Sequence, residues 1–285
     1  MPADAAGPTF ADLRRRPPAR SPRAWRFAGA RAASRAGALL SDGLRIGYAE
    51  GFDSGPFMAH AYVNRPSGRT TLGRAIDRRL LARPTCVAFR DIRALAELAV
   101  LEAIDHSQAT RPVVADLAAG PAPYLLHALA ARPAARAVLG DVNEATLVAA
   151  ARAADELGVG GRVSCSRADA FDRGALAALA PRPEVVVELG LYGIYHDDER
   201  IEQHFLDLAE LVAAGQIVFN VQTCNPEIEH IARVWRNAAG QRCVWRLRPV
   251  EQILGYAAAA GYRPRSIMAD RHGIYRVVRL VREGG

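Results

Sequence analysis

Val114-Ala115-Asp116-Leu117-Ala118-Ala119-Gly120-Pro121-Ala122 is the stretch on which the fold turns. An apolar run ends in an acid, small residues follow, and an amphipathic stretch opens at Tyr124, which spells strand, tight turn and helix. Short apolar runs recur at 137–140, 163–166, 185–189, 217–221, 266–269 and 274–281, after the first at 113–117. Helical patterns separate most of them, at 124–131, 144–157, 174–180, 199–213, 227–236 and 250–260. Strands alternating with helices of this length predict parallel β-α-β units with right-handed crossovers, hence an α/β doubly wound sheet. The last two strands are joined only by Asp270-Arg271-His272-Gly273, too short for a crossover, so they form an antiparallel hairpin. The expectation is a Rossmann-like sheet of seven strands, six parallel and one antiparallel.

That arrangement resembles the class I S-adenosylmethionine-dependent methyltransferases, and the quoted loop is similar to their glycine-rich loop. The resemblance implies that tiny side chains at Ala118 and Gly120 let the backbone approach the methionyl part of the cofactor. Asp116 would hold its ammonium group, with Tyr124 opening the next helix. A nicotinamide dinucleotide fold is the rival, but Pro123 stands where its third glycine belongs and Pro121 removes an amide donor a pyrophosphate would use. Asp141, twenty-five residues on and followed by Asn143, suits the ribose hydroxyls, a role shared by both cofactor families; helix capping is the alternative. In the methyltransferases an acid followed by small or apolar residues after the third strand meets adenine, which selects Asp169, Ala170 and Phe171, with capping of the next helix again the alternative. The fourth strand end implies Leu189, Gly190, Tyr192 and Tyr195 as the lining of the cofactor and acceptor cavity. Gln222 and Asn225, around Thr223-Cys224, are candidates for polar contacts to a substrate.

Composition bounds the chemistry. The chain has 285 residues and a net charge of +7, and all 37 basic residues are Arg, so every lysine-dependent mechanism is excluded. Residues 1–40 hold eight Arg against two acids, with five Pro, and cannot bury enough apolar surface to offset ordering; they read as a disordered Arg/Pro-rich tail. Residues 41–108 read as a helical cap or lid, and 109–285 as the cofactor-binding domain. The remaining 245 residues are near neutral, so nucleic acid is not expected as a partner. Four separated cysteines read as buried thiols of a reducing cytoplasm, and nothing visible calls for a metal. No apolar run approaches a membrane span or a secretion signal.

A closer resemblance is carried by Gly51-Phe52-Asp53-Ser54-Gly55, Arg65-Pro66-Ser67-Gly68-Arg69, Leu72-Gly73-Arg74-Ala75-Ile76-Asp77-Arg78, Asp116 to Gly120 with Tyr124, Asp169-Ala170-Phe171-Asp172, Gly190-Leu191-Tyr192, Gln222 with Pro226, and Ile231-Ala232-Arg233-Val234. Together they resemble a bacterial methyltransferase family often fused behind a lysophospholipase-like α/β-hydrolase. No G-x-S-x-G elbow of such a hydrolase occurs here, and Glu188 and the stretch Tyr195 to Asp198 depart from the family pattern. The resemblance implies that Asp53 or Glu50 positions or deprotonates the acceptor, with Tyr192 at the reacting centre and Tyr48 or Phe52 closing the site. Local turn formation at Asp53-Ser54-Gly55 is the alternative. The implied acceptor is a small molecule or lipid headgroup. The competing readings are an RNA-binding protein or RNA methyltransferase using the Arg-rich tail, and a catalytically silent cofactor-binding regulator.

Overall fold

The structure, a computed structural model, describes residues 7–282. In chain order it runs through helices α1 (Phe10–Arg14), α2 (Pro22–Gly37), α3 (Asp42–Glu50), α4 (Gly55–Val63), α5 (Thr71–Leu81) and α6 (Pro84–Asp105). The sheet begins with β1 (Val113–Asp116), α7 (Pro123–Ala131), β2 (Arg136–Asp141), α8 (Glu144–Glu156), β3 (Val163–Arg167), α9 (Arg173–Ala177) and β4 (Val185–Glu188). Then come α10 (Leu191–Ile194), α11 (Asp198–Asp207) with a π-helical turn at Leu208–Val212, β5 (Gln216–Gln222), α12 (Ile228–Val234), α13 (Val250–Ala259), β6 (Tyr262–Ala269) and β7 (Tyr275–Arg282). The chain divides into a helical unit, Met1–Arg90 with Cys224–Leu247, and a sheet unit, Asp91–Thr223 with Arg248–Gly285.

In the sheet unit the seven strands lie in the order β3-β2-β1-β4-β5-β7-β6. Pairs β1–β2, β1–β4, β2–β3 and β4–β5 are parallel, whereas β7 runs antiparallel to both β5 and β6. Strands β1, β4 and β5 are buried along their whole length, which explains their unbroken apolar runs. The predicted hairpin is present. Asp270 organises its turn by accepting from the backbone of His272 at 2.9 Å and of Tyr275 at 2.5 Å, and Gly273 takes φ +67°. The outer strands are β3 and β6; β6 carries Arg263, Pro264 and Arg265 and a register shift between Pro264 and Ser266.

The helical unit shows two departures from the sequence reading. Residues 7–40 are not a structureless tail: α1 and α2 form and bury Leu13 and Phe27. Residues 1–6 of that expectation lie outside the described residues. The physical reason is a long-range partner. The buried Arg233 guanidinium donates to the carbonyls of Asp12 (2.8 Å), Leu13 (3.1 Å) and Arg15, and Arg242 donates to those of Leu13 (3.2 Å) and Arg14 (2.5 Å), satisfying the open end of α1. Second, residues 224–247 belong to the helical unit instead of the sheet domain, and the boundary after α5 falls at Arg90, inside α6. Trp235, just past α12, stacks on Phe52 at 4.8 Å, and Glu227 accepts from the backbone (3.0 Å) and hydroxyl (2.7 Å) of Thr85.

Local chemistry explains the rest of this unit. Ser21, Ser41, Ser54 and Thr70 each cap a helix by accepting from the backbone three residues on. Asp77 is fully buried and accepts from the Ser41 hydroxyl (2.7 Å), Gly43 N–H (2.7 Å), His60 Nε2 (2.9 Å) and Ser67 N–H (2.9 Å). Burial alone would raise its proton affinity, but these four contacts hold its pKa below the ordinary carboxylate value. Gly73 is required by packing, since a Cβ there would lie 2.2 Å from the Leu40 carbonyl oxygen. Of the four cysteines, Cys86 and Cys243 are buried as expected, whereas Cys165 and Cys224 are exposed.

Candidate active site

Parallel strands bring their carboxyl ends to one edge of the sheet. Because β1 lies between β2 and β4, the winding reverses there, and a crevice forms outside the strand ends. Asp116 ends β1, Asp141 ends β2 and Glu188 ends β4. Asp116 is fully buried; its carboxylate accepts from the Tyr124 hydroxyl at 2.5 Å and the Ala118 N–H at 3.3 Å. Desolvation, reinforced by repulsion from Asp141 and Glu188 and opposed by those two bonds, raises its pKa to about 7. Asp141 is half-buried and accepts from Gly120 N–H at 2.9 Å and Asn143 N–H at 2.8 Å, locking the first loop to the second strand. Capping of α8 falls to Asn143, which accepts from Ala145 and Thr146.

The backbone around this edge leaves room. Gly120 has φ +53° and Gly190 φ +77°, and a Cβ built on either meets nothing within 4 Å. The Gly190 N–H donates to Asn220 Oδ1 at 2.7 Å, while Asn220 Nδ2 is buried with no partner among the described residues. An acidic, tightly turned edge with open backbone on two neighbouring loops fits a ligand that carries an ammonium group and vicinal hydroxyls.

Beyond β3, Asp169 accepts from Phe171 N–H (3.0 Å) and the Tyr195 hydroxyl (3.3 Å), and Arg200 reaches it at 3.5 Å. It is not the cap of α9; Asp172 is, accepting from Ala175 N–H at 2.7 Å. Ala170 is buried beside it. The Phe171 ring lies 4.2 Å from Tyr195 and 4.5 Å from His204, with the Arg200 guanidinium over Phe171 and Tyr195. Leu189 is partly buried at the end of β4. Asp116, Ala118, Gly120, Tyr124, Asp141, Asn143, Asp169, Ala170, Phe171, Leu189, Gly190 and Tyr195 thus all belong to this edge of the sheet unit.

Other expected positions are placed differently. Tyr192 was expected at the reacting centre, but α10 turns its ring fully into the core, where its hydroxyl donates to Glu188 Oε2 at 2.5 Å. Burial holds that phenol well above the ordinary range, so it stays protonated. Gln222 is buried and donates to the Tyr275 hydroxyl at 3.1 Å, and Asn225 is buried against Thr85 at 3.2 Å; neither presents its amide to a substrate. Phe52 is a core ring between Trp235 and Phe57 and does not close a site. Glu50 is exposed at the end of α3, and the half-buried Tyr48 has a hydroxyl with no hydrogen-bond partner among the described residues. Asp53 is half-buried, and desolvation raises its carboxyl above the ordinary value. Asp53, Glu50, Tyr48, Phe52 and Asn225 all lie in the helical unit.

Residues not anticipated complete the edge. Glu188 is fully buried between Tyr192 and Nε2 of the equally buried His204. The guanidinium of Arg248 is buried and gathers Asp198 (2.8 Å), the Tyr192 carbonyl and the Tyr195 carbonyl (2.9 Å), fixing the loop that carries Gly190 to Tyr195. The acid closing an otherwise apolar Val185-Val186-Val187 run was the one visible signal; His204 and Arg248 gave none.

With this geometry in view, similarity to known proteins becomes specific. A family model described as "Putative methyltransferase" matches residues 2–282. The chain belongs to that family. The uncharacterized protein YnbC of Escherichia coli strain K12 is 30% identical over 247 residues; the alignment spans 85% of the methyltransferase but only 42% of YnbC. Among solved structures, a possible exported protein from Bordetella parapertussis has a TM-score of 0.64 at 19% identity, covering 80% of this chain and 79% of that one. Magnesium protoporphyrin IX methyltransferase from Synechocystis PCC 6803, solved with bound SAH, has a TM-score of 0.55 at 15% identity, covering 81% and 96%. Both solved structures share the fold of the methyltransferase. Among the described residues no helix is long and apolar enough to cross a membrane, and no group of three or more His, Cys, Asp and Glu side chains could hold a metal ion.

Proposed function

We propose that the methyltransferase transfers a methyl group to a small-molecule or lipid-related acceptor, with the donor seated at the β1–β2–β3–β4 edge. The observation that carries this reading is the pairing of Asp141 with the Gly120 backbone beside open space at Gly120 and Gly190. Asp141 would accept the ribose hydroxyls, Asp116 would meet the ammonium group, and Asp169 with Ala170 and Phe171 would face the adenine. S-adenosylmethionine supplies an already electrophilic methyl, so these residues bind, align and exclude water. Tyr124 holds the Asp116 carboxylate in place, and Arg248 fixes the loop behind Gly190. Asp53 is proposed as the group that takes the acceptor's proton, on the chemistry of its own position, because desolvation makes its carboxylate more basic. Asp53→Asn would then lower turnover while leaving donor binding intact. The reaction is proposed for the cytoplasm, in keeping with four cysteines that form no disulfide.

The test is calorimetry on the purified chain with S-adenosylhomocysteine. Saturable binding is expected, weakened by about tenfold or more in Asp141→Ala through loss of charge-assisted hydrogen bonds. Absence of heat with that ligand, together with saturable uptake of a nicotinamide dinucleotide, overturns the reading.

A further inference from the structure

The helical unit carries 20 Arg against 8 acidic residues, a net +12, whereas the sheet unit carries 17 against 22, a net −5. The positive charge of the protein is therefore a property of one unit, well beyond the +6 of residues 1–40. Within that unit α2 is two-sided. Phe27 and Gly37 are buried, while Trp25 is 69% exposed. At 100° per residue, Trp25, Gly29, Ala32 and Ala36 fall within about 40° of one line along the helix, and Leu39 follows two residues past its end. Leu39 is also 69% exposed. Arg26 and Arg35 stand about 80–100° to either side of that line on the same geometry, and both are exposed.

The apolar line extends past the helix. Gly73 presses its backbone against the Leu40 carbonyl, and the same oxygen accepts from Arg69 N–H at 3.0 Å. Leu39 and Leu72 thus flank a single backbone contact. Leu72 is 62% exposed, with the exposed Arg69 and Arg74 beside it in sequence.

An apolar line ended by Trp and Leu and bordered by guanidinium groups matches a bilayer interface. The rings and branched chains suit the acyl boundary, and the arginines suit the lipid phosphates. We propose that this face of the helical unit docks on an anionic lipid bilayer. A nucleic acid would use the arginines and stack on Trp25 but would find nothing for Leu39 and Leu72, and a second copy of the chain would bring the same positive charge to the contact. The inference does not depend on methyl transfer.

Trp25 makes the test direct, because Trp235 and Trp245 are only 1% and 6% exposed. The full chain is mixed with vesicles of phosphatidylcholine alone, or of phosphatidylcholine and phosphatidylglycerol at two to one. Co-sedimentation and tryptophan emission are followed, with brominated lipids as quenchers. Expected are binding to the anionic vesicles only, a blue shift, and quenching that Trp25→Ser abolishes. Arg26→Gln with Arg35→Gln should lower the partition by roughly tenfold or more, as expected for two interfacial arginines, and leave S-adenosylhomocysteine binding and thermal melting unchanged. Equal binding to neutral vesicles, anionic binding without quenching of Trp25, or partition untouched by these substitutions overturns the proposal. So does a lipid-free dimer that Trp25→Ser dissociates, or RNA binding with no vesicle binding.

Discussion

Asp116 and Asp141 end neighbouring strands, yet their surroundings assign them opposite properties. Asp141 is half-exposed and takes two backbone donors, an arrangement suited to accepting hydroxyls as well. Asp116 is sealed from water and keeps its proton up to about pH 7, against 3.8 for an ordinary aspartate. The folded state therefore holds a proton that the unfolded chain has released between those two values. Below 3.8 the residue favours neither state; as pH rises through the window it progressively favours unfolding, with the full effect above about 7. Asp116→Asn is neutral throughout, so its stability relative to the native chain should rise across that window, by the order of a few kcal/mol, and then level off. Urea midpoints taken below, within and above the window check this. Donor binding that ionises Asp116 should also release a proton, visible as a dependence of the calorimetric heat on the buffer.

Between elements, the contact that matters most is the one from the end of β4 to α11. Glu188 and His204 are both buried, and the pair joins strand to helix beneath the Phe171 ring. His204→Phe would leave a carboxylate in the core with only Tyr192 to meet it, and should cost about 3 kcal/mol in denaturant unfolding. Glu188→Leu combined with His204→Phe should recover part of that loss, since an apolar pair removes the stranded charge. At this scale much was legible in the sequence. Each of the seven apolar runs became a strand, because period and length speak for themselves in buried parallel sheets, and the short Asp270–Gly273 link dictated a hairpin. The facing of single side chains was not legible. Tyr192, in α10 just past β4, and Gln222, the last residue of β5, sit where either direction is open to the chain, and only the positions of Glu188 and Tyr275 decide that both point inward. The Gly68 and Gly73 spacing was visible as a motif, but its cause, a close approach to Leu40, needed coordinates.

For the molecule as a whole, the first forty residues are the clearest case of information that composition hides. Their Arg and Pro content predicts disorder; α1 and α2 are held by Arg233, Arg242 and Glu229, more than two hundred positions along the chain. A chain beginning at Ser41 would leave the buried Arg233 guanidinium without its carbonyl acceptors and uncover the sites of Leu13 and Phe27. Its melting temperature should fall on the order of 5 °C or more, for a loss of a few kcal/mol. A mere tail would leave it unchanged. The sheet unit has its own asymmetry. On β6, a proline that offers no N–H, two flanking arginines and a slipped register spoil any continuation of the ladder. On β3, Val163 to Arg167 present an open edge with Cys165 at its middle. Crowded or oxidising solutions would therefore join copies through β3, by strand addition or by a Cys165–Cys165 bridge, while β6 stays inert to both.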